Sequence, residues 1–184
     1  MIDPHVSKIL RKRRSVFPKQ FNGKSITKEH VIEILKNANQ APTHKITEPW
    51  FFKIFTKNSK NKLKKKIIET ENYKYNSAKL DKINVNFQKT SHIICVCMRR
   101  NEIIPEWEEI AATSMAVQNI WISCVNSQIG GYWSTPKWIS KIHDFLNLKE
   151  NERCLGLFYL GIFDTLTERK LKRKNILEDI TWFE

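Results

Sequence analysis

Residues 105–136 constrain the fold more than any other stretch of this chain. Their apolar positions cover most of a helical wheel, whereas a helix on a protein surface carries a single apolar stripe. These positions are Ile110, Ala111, Met115, Val117, Ile120, Trp121, Ile122 and Val125. The pattern predicts a helix of roughly 24 residues, about 36 Å long, that is buried nearly all round. We expect it to begin after Pro105, to end at Gly130-Gly131 and to lead into an aromatic loop, residues 132–135.

The rest of the chain predicts a small sheet covered by helices. Apolar runs at 50–55, 91–98 and 154–163 are typical of buried strands, and helical spacing of apolar residues occurs at 5–13, 27–39, 59–89 and 137–146. This order of elements favours an α+β fold. With 184 residues, 41% of them hydrophobic, the chain can build a real core, so we expect one domain spanning residues 1–184.

The chain carries a formal net charge of +13, which favours phosphate-bearing cofactors, nucleic acid or acidic surfaces as partners. A simpler interpretation is that lysines such as Lys64-Lys65-Lys66 cover a solvated helix face. Binding of nucleic acid is therefore kept as a rival function. The sequence shows no recognisable helix-turn-helix, RNA-recognition or zinc pattern, so we expect no nucleic-acid partner.

The four cysteines lie inside apolar segments without the spacing of metal ligands, so we predict reduced core thiols and no metal site. The N-terminus has no apolar signal region, and no stretch approaches 18 uncharged apolar residues. We expect a cytoplasmic protein with no membrane partner.

Two short segments carry side chains suited to binding chemistry. Arg13-Arg14-Ser15 follows the first predicted helix and offers two guanidinium groups and a hydroxyl, which suit a phosphate; a solvated basic patch is the alternative. His44 lies in the loop at 41–49, between a predicted helix and a predicted strand. It is a candidate functional residue, and simple exposure to solvent is the alternative interpretation.

Taken together and in order, several segments resemble the nitroreductase family of FMN-dependent oxidoreductases, and specifically its smallest single-domain bacterial members. The matching segments are Arg13-Arg14-Ser15, Ala41-Pro42-Thr43-His44-Lys45 with Pro49-Trp50, Pro105-Glu106-Trp107-Glu108 leading to Gly130-Gly131-Tyr132-Trp133, Leu157-Phe158-Tyr159-Leu160-Gly161, and the basic tail ending in Leu177-Glu178-Asp179-Ile180-Thr181-Trp182. Their order and spacing, from about residue 8 to the C-terminus, carry the resemblance.

The resemblance implies a nitroreductase-like fold with a mainly antiparallel sheet, and a homodimer in which the long helix forms much of the interface. Two FMN molecules would lie between the subunits. NADH or NADPH would reduce FMN by hydride transfer to N5, and an electron-poor acceptor, a nitroaromatic, a quinone or an enone, would then be reduced. Reductive dehalogenation and flavin fragmentation are the alternative chemistries on this fold.

The resemblance also implies a set of FMN-binding residues. The residues expected at the phosphate and ribityl chain are Arg13, Arg14, Ser15, Lys172 and Lys174, with Arg173 as a substitute if the register is off by one. Those expected along the isoalloxazine are Trp133, Ser134 and Thr135. Gln40 and His44 would reach the flavin of the other subunit. A backbone N–H in the 133–135 loop would donate to flavin N5. FMN would carry the chemistry, so no catalytic side chain is required, although His44 is a candidate proton donor.

The chain departs from the family pattern at four positions. Phe17 stands where many members have a basic residue, Ile46 and Glu48 stand in a loop where many have asparagine, and Ser134 stands where the smallest members often have arginine. We therefore expect fewer side-chain contacts to the flavin pyrimidine and phosphate.

Overall fold

The computed structural model describes residues 2–71, 76–166 and 173–184, and these ranges form an α+β fold, as predicted. The helices within them are α1 Pro4–Lys12, α2 Lys28–Ala38, α3 Lys57–Thr70, α4 Ser77–Lys89 and α5 Glu106–Ser123; the strands are β1 Trp50–Thr56, β2 His92–Arg99, β3 Ile129–Ser134 and β4 Glu152–Ile162. The strands form one antiparallel sheet in the order β1-β2-β4-β3. Residues 72–75, within the helical stretch predicted at 59–89, lie outside the described residues.

Two apolar clusters cover the two faces of the sheet. On one face, Ile94 and Val96 of β2 pack in a cluster with α2 and α5; on the other, Ile93 and Cys95 pack with α3 and α4. Strand β2 is buried along seven of its eight residues, which confirms the prediction of a strand covered on both faces. Strand β1, in contrast to its prediction as a buried strand, is half-buried, because it pairs only with β2 and forms one edge of the sheet.

The long helix differs from its prediction in length and burial. Helix α5 has 18 residues and ends at Ser123, and only one of its faces is buried within the chain. On the opposite face Trp107 is 68% exposed and Met115 is 38% exposed. The prediction of a helix buried nearly all round is therefore wrong for a single chain, because α2 and the sheet cover one side only.

Gly130 and Gly131 belong to strand β3 and do not end the helix. A Cβ atom on Gly131 would lie 2.1 Å from Cε1 of Phe158, and one on Gly130 would lie 2.6 Å from a methyl carbon of Val16. Both positions require glycine because neighbouring side chains pack directly against the strand backbone. The predicted loop at 132–135 is thus mostly strand, with only Thr135 beyond its end.

The short helix predicted at 137–146 is replaced by two 3₁₀ turns, Ile139–Ile142 and Asp144–Leu146. Its apolar residues Ile139, Ile142 and Phe145 recur every three positions, which matches the three residues per turn of a 3₁₀ helix. The predicted inward direction is confirmed, since Ile142 and Leu146 are buried beneath the sheet.

All four cysteines are free and buried, as predicted. Burial raises the pKa of Cys124 to about 12, so this thiol stays protonated and unreactive at neutral pH. Within the described ranges, no helix is both long enough and apolar enough to cross a bilayer.

A buried polar cluster predicts loss of stability in acid. Lys60 Nζ donates to the carbonyl oxygens of Phe87, at 3.1 Å, and Thr90, and burial together with this nearby charge lowers the pKa of His92. The unfolded chain then binds a proton more readily than the fold, so the free energy of unfolding should fall as pH drops below about 6.5.

Urea denaturation at pH 7.5 and 5.0 measures this dependence. The variant His92→Gln should lose less stability between the two pH values than the wild type does, whereas His5→Gln, a change at an exposed histidine of α1, should behave like the wild type. An equal loss in all three proteins would contradict the assignment.

Candidate functional site

The segment that follows α1 lies along the free edge of β3. Helix α1 begins at an Asp3 side-chain cap and ends at Lys12, which confirms the first predicted helix. Beyond it, Val16 N donates to the carbonyl oxygen of Gly131 at 3.0 Å, and the Val16 side chain is buried. Arg13 lies beside Trp121 on the α5 side of the sheet, and Phe17 lies against Tyr132 on the other side.

Arg13 lies in a half-buried, positively charged environment. Its guanidinium carbon is 5.4 Å from the centre of the Trp121 ring, whose Nε1 donates to the carbonyl oxygen of Gly131 at 2.9 Å. Burial lowers the pKa of the Arg13 guanidinium, and the positive charge of the Arg173 guanidinium lowers it further. Neither forms an ion pair with any acidic residue that the structure describes. Two like charges without a carboxylate are suited to an anionic ligand.

Two residues of the predicted basic tail, Arg173 and Lys174, lie in the part of the chain that the structure describes. Arg173 is the residue whose charge acts on Arg13, whereas Lys174 forms an ion pair with Asp179. Lys172 lies outside the described residues. The choice between the two registers therefore stays a prediction.

On the other side of the sheet, Phe17 borders a cavity of about 730 Å³. The cavity lies between strands β3 and β4 and helix α4, and its aromatic wall consists of Phe17, Tyr132 and Tyr159. The ring centroids of Phe17 and Tyr132 are 4.8 Å apart. Lys19, Asp81, Lys82 and Ser134 add polar atoms to the lining. This volume and this largely apolar wall are typical of a small-molecule site.

Of the residues predicted to lie along the isoalloxazine, the structure places Ser134 on the cavity and Trp133 on the opposite face. Trp133 packs edge-on against Trp121, with ring centroids 6.5 Å apart, in the cluster beneath α5. Tyr132 takes the place expected for Trp133, and it is absent from the predicted site residues. Side chains alternate between the faces of a strand, so recognising residues 129–134 as a strand would have identified Tyr132.

Gln40 and His44 lie away from this cavity within the chain. Both belong to the exposed loop between α2 and β1, where Gln40 borders a second, shallower groove with Trp50 and Phe52. His44 Nδ1 lies 2.6 Å from Oε2 of Glu108, in the first turn of α5. The structure thus brings neither residue to the cavity of its own chain.

Comparison with known proteins decides the family. The model of the nitroreductase family matches residues 10–162, which include the Arg13 segment, the His44 loop, α5 and the whole sheet. The chain belongs to the nitroreductase family. The match confirms the resemblance on which the predicted site residues rest.

Individual proteins resemble this nitroreductase family member in sequence and in fold. YfhC of Bacillus subtilis (strain 168), which carries the provisional name of NAD(P)H nitroreductase, is 27% identical over 183 residues, covering 94% of this chain and 91% of its own. A nitroreductase-like family protein from Bacillus cereus has a TM-score of 0.84 at 24% identity, covering 100% of this chain and 98% of its own. A variant of NfnB, described as an FMN- and NADPH-dependent nitroreductase from sphigopyxis sp. strain HMH, has a TM-score of 0.79 at 14% identity, covering 96% and 97%.

Proposed function

We propose that this nitroreductase family member, residues 1–184, acts as one FMN-binding domain that uses NADH or NADPH to reduce an electron-poor acceptor. One observation carries the proposal. The segment Arg13–Phe17 is attached to β3. It connects two guanidinium groups, which form no ion pair with the acidic residues that the structure describes, to an aromatic cavity on the other side of the sheet edge. FMN has a phosphate group at one end and a flat ring system at the other. The names of YfhC and NfnB support the same cofactor and reductants.

The residues present fit FMN at both ends. Arg13 and Arg173 would hold the phosphate, with Arg14 and Ser15, both half-buried, beside them. Tyr132 and Phe17 would enclose the ring system, since aromatic rings offer it stacking partners in a cavity closed by α4. A backbone N–H at residues 134–135 would donate to the flavin. When bound, FMN supplies hydride transfer through its N5 atom, and the protein supplies position and charge.

Phe17 stands where many family members have a basic residue. The cavity nevertheless carries positive charge from other side chains. Lys19 and Lys82 line it, and Asp81 is the acidic residue among its lining residues. A cation beside the ring system stabilises the negative charge that the flavin gains on reduction. We therefore expect Phe17 and Ser134 to change affinity and redox potential rather than to prevent FMN binding.

A homodimer would complete the site. Trp107 and Met115 leave one face of α5 uncovered, and the tail residues Ile176, Trp182 and Phe183 are at least 63% exposed. A second copy of the chain packed on α5 would bury these apolar side chains. The loop carrying Gln40 and His44 would then reach the flavin held mainly by the other subunit. The acceptor would be a nitroaromatic, a quinone or an enone.

Substitution on the uncovered face of α5 tests the dimer. Met115→Glu should shift the protein towards a monomer and weaken FMN retention, because a carboxylate would be buried without a partner. Sedimentation velocity measures the state, and Met115→Leu should remain dimeric. A monomeric wild type that binds FMN as a monomer would contradict this arrangement.

Absorbance spectroscopy tests the proposed function directly. The purified protein, supplied with FMN, should show flavin absorbance that bleaches when NADH or NADPH is added without oxygen and returns when an acceptor is added. If the protein does not bind FMN but binds DNA with a steep salt dependence, the proposal is overturned in favour of a nucleic-acid-binding module.

A further inference from the structure

The loop that carries His44 holds an unusual concentration of backbone strain. Lys45, Ile46 and Glu48 have φ angles of 51°, 53° and 39°, all in the left-handed region. For the β-branched Ile46 this conformation is costly, and its side chain is 80% exposed, so burial of that side chain does not offset the cost. Strain of this kind persists only where surrounding contacts enforce it, and it concentrates at functional sites.

Several hydrogen bonds enforce the conformation. Thr43 Oγ1 lies 3.0 Å from Thr47 Oγ1 and accepts from Glu48 N at 3.2 Å, so the loop closes on itself. Lys45 Nζ donates to the carbonyl oxygen of Ile103 at 3.4 Å, and His44 contacts Glu108. The loop is therefore attached at two points to the segment that starts α5.

The contact between His44 and Glu108 determines how the imidazole is oriented. Glu108 lies in the first turn of α5, where the positive end of the helix dipole favours the ionised carboxylate. An ionised carboxylate only accepts, so His44 Nδ1 must donate the proton across the 2.6 Å separation. In the neutral ring this leaves Nε2 with a lone pair and no hydrogen, on a side chain that is 55% exposed.

We propose that His44 and Glu108 form a proton-delivery pair for the acceptor, with Glu108 as the positioning residue. This inference rests on the proposed function, because it needs the His44 loop to reach the flavin of the partner subunit. Protonation at Nε2 makes an imidazolium whose charge Glu108 stabilises, and His44 then passes that proton to the acceptor. The strained loop holds the ring in place before the acceptor binds.

The proton delivered by His44 completes the two-electron reduction of the acceptor. FMN, when bound, would supply the hydride. A quinone that has gained one hydride is a hydroquinone monoanion, and one proton from Nε2 of His44 would complete the hydroquinone. The imidazole then regains its proton from water. Glu108 keeps its charge throughout, because it accepts the same Nδ1–H before and after the transfer.

The first test measures the ring itself and requires no activity. Nitrogen-15 NMR of the cofactor-free protein should show His44 in the Nδ1–H tautomer, with the resonance assigned by its loss in His44→Asn. Glu108→Leu should shift the ring towards the Nε2–H tautomer. The matched control is Glu106→Gln, which alters the neighbouring carboxylate that pairs with Arg153 at 2.9 Å and should leave His44 unchanged. An Nε2–H tautomer in the wild type would overturn the proposal.

The second test separates proton delivery from the flavin reaction. Stopped-flow reoxidation of the reduced holoenzyme by 1,4-benzoquinone should slow about 10-fold in Glu108→Leu and about 100-fold in His44→Asn. Ferricyanide takes electrons without a proton, so its reoxidation of the same variants should slow by a clearly smaller factor, and the ratio of the quinone rate to the ferricyanide rate isolates proton delivery from any loss of flavin contact.

The outcomes distinguish the two proposals. Wild-type reoxidation by the quinone in both variants would overturn the proton-delivery pair and leave the proposed function standing. If NAD(P)H does not reduce the flavin of the wild-type protein, the proposed function is overturned, and the proton-delivery step with it. Equal slowing with benzoquinone and ferricyanide would also count against the pair, because it would indicate a general loss of structure.

Discussion

Replacing Arg13 with alanine should lower the affinity for FMN roughly 10- to 100-fold, because a hydrogen bond to a charged group contributes about 1.5–3 kcal/mol. Arg13 is half-buried against Trp121, and the charge of Arg173 acts on it, so the substitution removes one of two cations from the same place. Isothermal titration of the cofactor-free protein with FMN measures the change. Arg173→Ala should have an effect in the same direction.

Two control variants distinguish a specific phosphate contact from a general effect of charge. Lys65→Ala removes a cation that is 81% exposed and pairs with Glu69 on α3, and Arg11→Ala removes an exposed cation two residues from Arg13. Both should retain FMN within about twofold of the wild type, because exposed charges are screened by salt. Equal and negligible effects of Arg13→Ala and Lys65→Ala would remove the phosphate assignment.

Replacing Gly131 with alanine should destabilise the fold by about 1–3 kcal/mol, the usual cost of overpacking. The added Cβ would lie 2.1 Å from the ring of Phe158, which is fully buried and packs against Trp121 with centroids 5.3 Å apart. The ring therefore has no space to move into. Thermal unfolding should show a melting temperature lower by roughly 3–10 °C for a chain of this size.

A double variant checks the cause of this destabilisation. Phe158→Leu removes the ring atoms that the new Cβ would meet, so Gly131→Ala should cost less in that background than in the wild type. Strictly additive effects would contradict the steric explanation. Because the carbonyl oxygen of Gly131 also accepts from Val16 N and Trp121 Nε1, the substitution should weaken the attachment of the Arg13 segment as well.

These predictions concern residues whose roles the sequence reveals to different degrees. Arg13 is indicated as a phosphate ligand by its neighbours Arg14 and Ser15 and by the family resemblance, both of which are visible in the linear chain. At Gly131 the sequence predicts a helix stop, because two consecutive glycines after an apolar run commonly mark a helix end. The actual requirement for glycine comes from Phe158, which lies 27 positions away in the sequence and on the neighbouring strand.

The residues of the candidate site likewise divide into those that the sequence indicates and those that only the fold reveals. Ser134 is expected from the sequence and lines the cavity, but Tyr132 and the wall provided by α4 are not expected, because α4 reaches the cavity from a lysine-rich region with sparse apolar residues. The pairing of His44 with Glu108 joins residues 64 positions apart and has no signal in either local sequence. It depends on the fold, which places the first turn of α5 beside the loop.

The sequence by itself determined the fold class, the strands β2 and β4, the family and the segment that we propose binds phosphate. These depend on local periodicity and on short motifs, both of which are present in the linear chain. Only the tertiary structure decided where α5 ends, which face of β3 meets the cavity, and that His44 lies beside Glu108. Each of these depends on contacts between distant segments, and a linear pattern does not specify which distant atoms will meet.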